Sequence, residues 1–128
     1  MKVQSGKAKG RRLQQWTRDV LIETLKIHPE DIESRGMGGP GEDLIMSRAA
    51  RDAFPYSVEC KNQEKLNIWS AYEQAKENSK GYTPIVILKR NNVKPLVLID
   101  AQSFIDLHKN KVRYMTDSNK WTFTDPTV

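Results

Sequence analysis

Two uninterrupted apolar runs, Pro84–Leu88 and Pro95–Ile99, constrain the fold of this chain more than any other feature. Successive side chains of a strand point to opposite faces, so a strand that is apolar at every position must be covered on both sides. A half-exposed hairpin would alternate apolar and polar residues, and these runs do not. Asn91 and Asn92 lie between them and suit the turn that separates two strands. The pair therefore predicts strands buried on both faces of an α/β sandwich, with the helices supplied by the rest of the chain.

Two segments carry the helical period. From Arg12 to Ile27, the residues Leu13, Trp16, Val20, Leu21 and Leu25 recur at helical spacing, and Pro29 cannot continue the pattern. At roughly 100° per residue Gln14 falls inside that apolar arc, whereas Gln15, Arg18 and Lys26 point away. Gln14 is thus expected to face inward. From Leu66 to Ser79, the residues Ile68, Ala71, Tyr72 and Ala75 line one face of a second helix, which Gly81 terminates. Trp69, beside Ile68, is assigned to the core rather than to a base-stacking surface, and His28 to a helix end rather than to catalysis. Asp100 reads as the N-cap of a last helix carrying Phe104, Ile105 and Leu107.

Residues 31–41 contain four glycines, and those at 36, 38 and 41 match the dinucleotide-binding pattern G-x-G-x-x-G. That pattern needs a helix opening at its last glycine, where free N–H groups meet the pyrophosphate. Here a short strand, Asp43–Ser47, follows instead, so no nucleotide cofactor is expected. Ser47 caps a short helix from Arg48 to Ala53, which stops before Pro55, and residues 56–61 form the next strand. The predicted order is helix, three strands, helix, two strands, helix: a mixed central sheet flanked by helices. With 38% hydrophobic residues, a chain of 128 residues suffices for one core, so one domain is expected over 1–128. A basic arm, residues 1–12, would precede the first helix, and a polar tail, residues 110–128, would dock or stay loose. No run approaches the roughly 20 apolar residues of a membrane span, and none follows the first charges, so a cytoplasmic protein is expected.

The period of two puts Glu59 and Lys61 on one face of their strand and Cys60 on the other, where Cys60 reads as a core residue. Asp43 opens the preceding strand straight after the glycine-rich turn. An acid and a lysine so spaced also describe an ordinary surface ion pair. With a single cysteine and two histidines, however, any metal must be held by oxygen, and two converging carboxylates provide the hard ligands that Mg²⁺ prefers. Such an ion acidifies a bound water and polarises a phosphate, while Lys61 orients the attacking water or offsets transition-state charge. The formal charge of +5 favours a polyanionic partner.

Asp43 after Gly41, and Ser57, Val58, Glu59, Cys60, Lys61 and Asn62 between the two long helices, resemble the PD-(D/E)xK nuclease superfamily, which includes restriction endonucleases and Holliday-junction resolvases. The resemblance spans roughly residues 9–108 and implies a restriction-endonuclease-like core. It also implies a Mg²⁺-dependent endodeoxyribonuclease, with Mn²⁺ able to substitute. Asp43 and Glu59 would hold the metal with the main-chain carbonyl of Cys60, and Lys61 would assist catalysis. The sequence departs from the family at Glu42, where the family's name has proline, and at Gln14, where resolvase-like members carry a glutamate on the first helix after a lysine-glycine pair, here Lys9 and Gly10. Gln14 is assigned to the site as a weak ligand or as a partner of a metal-bound water, with a plain buried hydrogen bond as the other reading.

Lys7, Lys9, Arg11, Arg12, Ser34, Arg35, Asn62 and Gln74 complete the expected DNA contacts, mostly to phosphate. Gln74 lies at the edge of its helix's apolar arc, where a solvated side chain is the alternative. A chain this short leaves little surface for reading base edges, so the expected substrate is branched DNA such as a four-way junction. Cutting both strands symmetrically requires two active sites, hence a homodimer. A restriction-like or general DNA nuclease, and a non-cleaving DNA-binding module on the same fold, are the other readings.

Overall fold

The structure is a computed structural model that describes residues 6–36 and 40–109, together with the backbone of residues 112–115 and 121–124. The chain divides into two compact units, residues 1–98 and 99–128.

The first unit opens with helix α1, Gly6–Leu25, which ends where Lys26 takes a positive φ of 59° and Pro29 blocks continuation. Lys7, Lys9, Arg11 and Arg12 lie inside this helix rather than on an arm ahead of it. Lysine, arginine and alanine are good helix formers, and no proline interrupts the segment. Leu13, Gln14, Thr17 and Leu21 form the buried stripe, so Gln14 does face inward. Trp16, expected on that stripe, is 45% exposed at its margin.

A 3₁₀ turn, Pro29–Asp31, is capped by His28, whose Nδ1 accepts from the Glu30 amide. Strands β1, Ile32–Ser34, and β2, Leu44–Met46, then pair antiparallel with Ser34 opposite Leu44. Gly41 adopts φ 90° on the approach to β2, a conformation that glycine takes at little steric cost. Helix α2, Arg48–Ala53, starts at Ser47, whose hydroxyl accepts from the Ala50 amide as expected of an N-cap.

Strand β3, Tyr56–Asn62, leads through helix α3, Ile68–Asn78, into β4, Thr83–Lys89, which runs parallel to β3. Strand β5, Leu96–Leu98, returns antiparallel on β4, making a mixed three-stranded sheet ordered β3-β4-β5. One face is covered by α3, whose Ala71 and Ala75 pack on Val86 with Leu66, Leu88 and Leu98 around them. The other face meets α1, where the Thr17 hydroxyl lies 3.9 Å from the Cys60 sulfur. The expected α/β layering, a mixed sheet flanked by helices, is present.

Three expectations are corrected. The strands of the first unit form a three-stranded and a two-stranded sheet rather than one continuous sheet. Strand β5 is not buried on both faces: it is the edge of its sheet, and Leu96 and Val97 are 58% and 55% exposed. Trp69 is 77% exposed rather than core, because it sits roughly 200° around α3 from Ala71 and the stripe that α3 buries is narrow.

The second unit contains helix α4, Ala101–Asp106, capped by Asp100 through the Ser103 amide at 2.8 Å. Within the segment expected to be a polar tail that docks or stays loose, strands β6, Val112–Met115, and β7, Trp121–Thr124, pair antiparallel. Among the described residues no helix is long and apolar enough to cross a membrane.

Candidate active site

The site lies at the seam between the two sheets of the first unit. Asp43, one residue before β2, donates its amide to the Val58 carbonyl at 2.9 Å, while its Oδ2 accepts from the Cys60 amide at 2.6 Å. Both bonds use the free edge of β3, because the ladder to β4 engages the opposite edge. The amide and carbonyl of a strand residue leave the backbone on the same side, so the Cys60 carbonyl also points toward that free edge.

Glu59 is 4% exposed and reaches the α3 side of the sheet, where its Oε1 accepts from Asn78 Nδ2 at 3.0 Å. Its carboxyl also shares a hydrogen bond with Asp43. Burial first, then the facing Asp43 charge, pushes the Glu59 carboxyl up to about 7, while Asn78 and Lys61 act against the rise. Burial raises Asp43 as well, opposed by the Cys60 amide, the bond to Glu59, and the charges of Lys61 and Arg35. The pair therefore favours keeping one proton, which is lost as pH rises through about 7. The Cys60 thiol, pushed up to about 12 by burial and by Asp43, stays protonated and takes no part in chemistry as a thiolate.

Glu42, next to Asp43, behaves in the opposite way. Burial pushes its carboxyl up, but Arg51, the Ser57 hydroxyl and Lys80 outweigh that and hold it below the ordinary glutamate value. Arg51 grips it with both terminal nitrogens at 2.7 and 2.8 Å, bonds the Tyr56 carbonyl, and stacks 4.5 Å over the Tyr82 ring. Position 42 thus carries a buried ion pair that braces α2 against the start of β3, while Asp43 beside it faces a second acid.

Asp43, Glu59 and the Cys60 backbone come together, with Lys61 on the same face of β3 as Glu59. Gln14 is buried and its Oε1 accepts from the Ser34 hydroxyl at 2.7 Å. Ser34 stands opposite Leu44, so Gln14 approaches the hairpin one residue from Asp43. Arg35 donates to the Glu42 carbonyl at 2.7 Å, and its amide donates to the Asp43 carbonyl at 2.8 Å, which holds the approach to β2 in place. Asn62 donates to the Lys9 carbonyl at 3.2 Å. Gln74 is exposed on α3, one turn before Asn78. Lys7, Arg11 and Arg12 lie along exposed α1 positions. Asn78 was not singled out from the sequence, although its spacing of seven from Ala71 puts it on the same helical face.

Among the described residues, no group of three or more His, Cys, Asp or Glu is arranged to hold a metal ion. The oxygen donors that do converge are two carboxylates and a main-chain carbonyl direction. Two carboxylates make up a hard-cation site only when water or substrate oxygens complete the coordination. No known protein family, curated protein or solved structure matches this chain.

Proposed function

We propose that this chain is a magnesium-dependent DNA endonuclease, with Asp43, Glu59 and Lys61 as its catalytic residues. The observation that carries this reading is the carboxyl pair of half-buried Asp43, just before β2, and buried Glu59 of β3, with Lys61 on the same face of β3 as Glu59. Two facing acids that repel each other when both are ionised favour a divalent cation between them. When bound, Mg²⁺ supplies Lewis-acid polarisation of the scissile phosphate and lowers the pKa of a coordinated water. Asp43 and Glu59 would hold the ion, with the Cys60 amide fixing the Asp43 rotamer and Asn78 fixing Glu59. The Lys61 ammonium offsets charge developing on the phosphate oxygens and orients the attacking water. Gln14, held by Ser34, positions the hairpin that carries Asp43.

The substrate we favour is branched DNA cut by a homodimer, with the cations of α1 making phosphate contacts that carry no sequence information. A non-cleaving DNA-binding module is the second reading, favoured by Asp43, whose carboxylate already serves the fold by joining the hairpin to β3. The deciding experiment offers labelled duplex, single-stranded, flap and four-way-junction DNA with Mg²⁺, Mn²⁺ or EDTA to wild type and Glu59→Ala. Metal-dependent cutting lost in the variant supports the enzyme. Binding without cutting under every condition supports the module.

A further inference from the structure

A second feature lies at the carboxyl ends of the parallel strands β3 and β4, the place where α/β sheets commonly seat ligands. A groove of about 390 Å³ is lined there by Lys9, Arg12 and Trp16 of α1, Asn62 at the end of β3, and Lys89 at the end of β4, among others. Asn62 and Lys89 are register partners, so they mark the same level of the sheet. The Asn62 amide nitrogen is tied to the Lys9 carbonyl, which leaves its buried Oδ1 without a donor among the described residues. Three cations, an aromatic ring and an amide with an unfilled acceptor do not make a solvated charge run. They combine the backbone attraction and the stacking surface that unpaired nucleic acid requires.

We propose that this groove binds one nucleotide of an unpaired DNA strand, its base stacked on Trp16 and its flanking phosphates held by Lys9, Arg12 and Lys89. Stacking on a protein ring needs a base that has left the duplex, so the groove selects for DNA with unpaired nucleotides beside a branch point. Trp69 is the more exposed tryptophan, but it lines a different surface with Glu73 and Glu77, whose charges repel phosphate. Two residues of strand separate Glu59 from Asn62, roughly 10 Å along the backbone. Asn62 faces α1 and Glu59 faces α3, so the groove and the carboxylates lie near one strand end but on opposite faces of the sheet. The choice of DNA rests on the nuclease reading, but binding here requires neither carboxylate.

The test is fluorescence anisotropy of labelled twelve-nucleotide DNA, single-stranded and duplex, in EDTA, with the full chain and the variants Trp16→Ala, Trp16→Phe, Lys89→Ala and Trp69→Ala. Expected are tighter binding of the single strand than of duplex, about ten-fold weaker binding for Trp16→Ala, and near wild-type binding for Trp16→Phe and Trp69→Ala. Lys89→Ala should weaken binding and flatten the salt dependence by about 0.7 in log–log slope. A folded Trp16→Ala protein that binds the single strand as wild type does overturns the proposal, as does equal loss in Trp69→Ala. Trp16-dependent binding without any metal-dependent cleavage keeps the groove and removes the nuclease. Glu59-dependent cleavage that is indifferent to Trp16 does the reverse.

Discussion

Asp43 and Cys60 are joined by a 2.6 Å hydrogen bond from the Cys60 amide to the Asp43 carboxylate, across the seam between the hairpin and the free edge of β3. One side chain thus has two tasks: it completes the backbone hydrogen bonding of an edge, and it presents an acid to Glu59. The two tasks separate by substitution. Asp43→Asn keeps an acceptor for the Cys60 amide and relieves the repulsion with Glu59, so its thermal midpoint is expected to stay at or above that of wild type. Its magnesium response and any cleavage should be lost. Asp43→Ala leaves the Cys60 amide unpaired and is expected to lose about 1–3 kcal/mol on that account, partly offset by the same relief. Thermal denaturation and plasmid nicking on both variants check this; an active Asp43→Asn protein would end the catalytic assignment.

The carboxyl pair predicts an unusual pH dependence. Glu59 has a folded-state pKa of about 7 against 4.5 for the ordinary group. The fold therefore favours its neutral form, and that contribution is fully present below pH 4.5 and lost as pH rises through about 7. The difference corresponds to about 3 kcal/mol. Glu42, with its lowered pKa, contributes in the opposite window, present above 4.5 and lost as pH falls through its lower folded value. Metal-free protein is thus expected to be most stable near about pH 5 and to soften toward pH 8. Glu59→Gln should flatten the alkaline limb. Added Mg²⁺ should raise the wild-type midpoint at pH 8 and leave Glu59→Gln unmoved. Denaturation scans from pH 4 to 9 read all three outcomes.

Breaking the Glu42–Arg51 pair is expected to cost more than breaking any exposed ion pair. Both side chains are buried and the bond is bidentate, so Arg51→Ala strands a buried carboxylate at about 3–5 kcal/mol. The surface pair of Arg48 and Asp52 should be worth under about 1 kcal/mol. Urea denaturation of Arg51→Ala, Arg48→Ala and the Glu42→Gln/Arg51→Met double variant separates these values. A double variant more stable than Arg51→Ala is the expected sign of relief from the stranded charge.

Gln14→Glu tests whether the first helix belongs to the site. The substitution retains an acceptor for Ser34 while adding a negative charge one residue from Asp43 along the hairpin. Expected are a less stable metal-free protein and a several-fold tighter response to Mg²⁺, measured by titrating the thermal midpoint. An unchanged magnesium response would assign Gln14 to the fold alone.

Much of this site can be read from local pattern. The period of two along β3 placed Glu59 and Lys61 on one face and Cys60 on the other, and the helical period turned Gln14 inward. The caps at Ser47 and Asp100 were equally visible, because a cap is a relation between residues a few positions apart. Trp69 and Trp16 were misplaced for the same reason in reverse. Their neighbours announced an apolar face, but the breadth of the covered stripe depends on what packs against it, and α3 meets the sheet mainly through two alanines.

The amino-acid sequence by itself determined the type and order of the longer elements of the first unit, though not the short strand β1, and the alternation of side chains along them, since both follow from short-range sterics and periodicity. Only the tertiary structure decided that Asp43 would close on the Cys60 amide, that Asn78 would meet Glu59, that Glu42 would be claimed by Arg51, and that β5 would lie at an edge. These are pairings between positions distant in the chain or matters of coverage. They depend on how the elements pack together, and no local pattern carries that information.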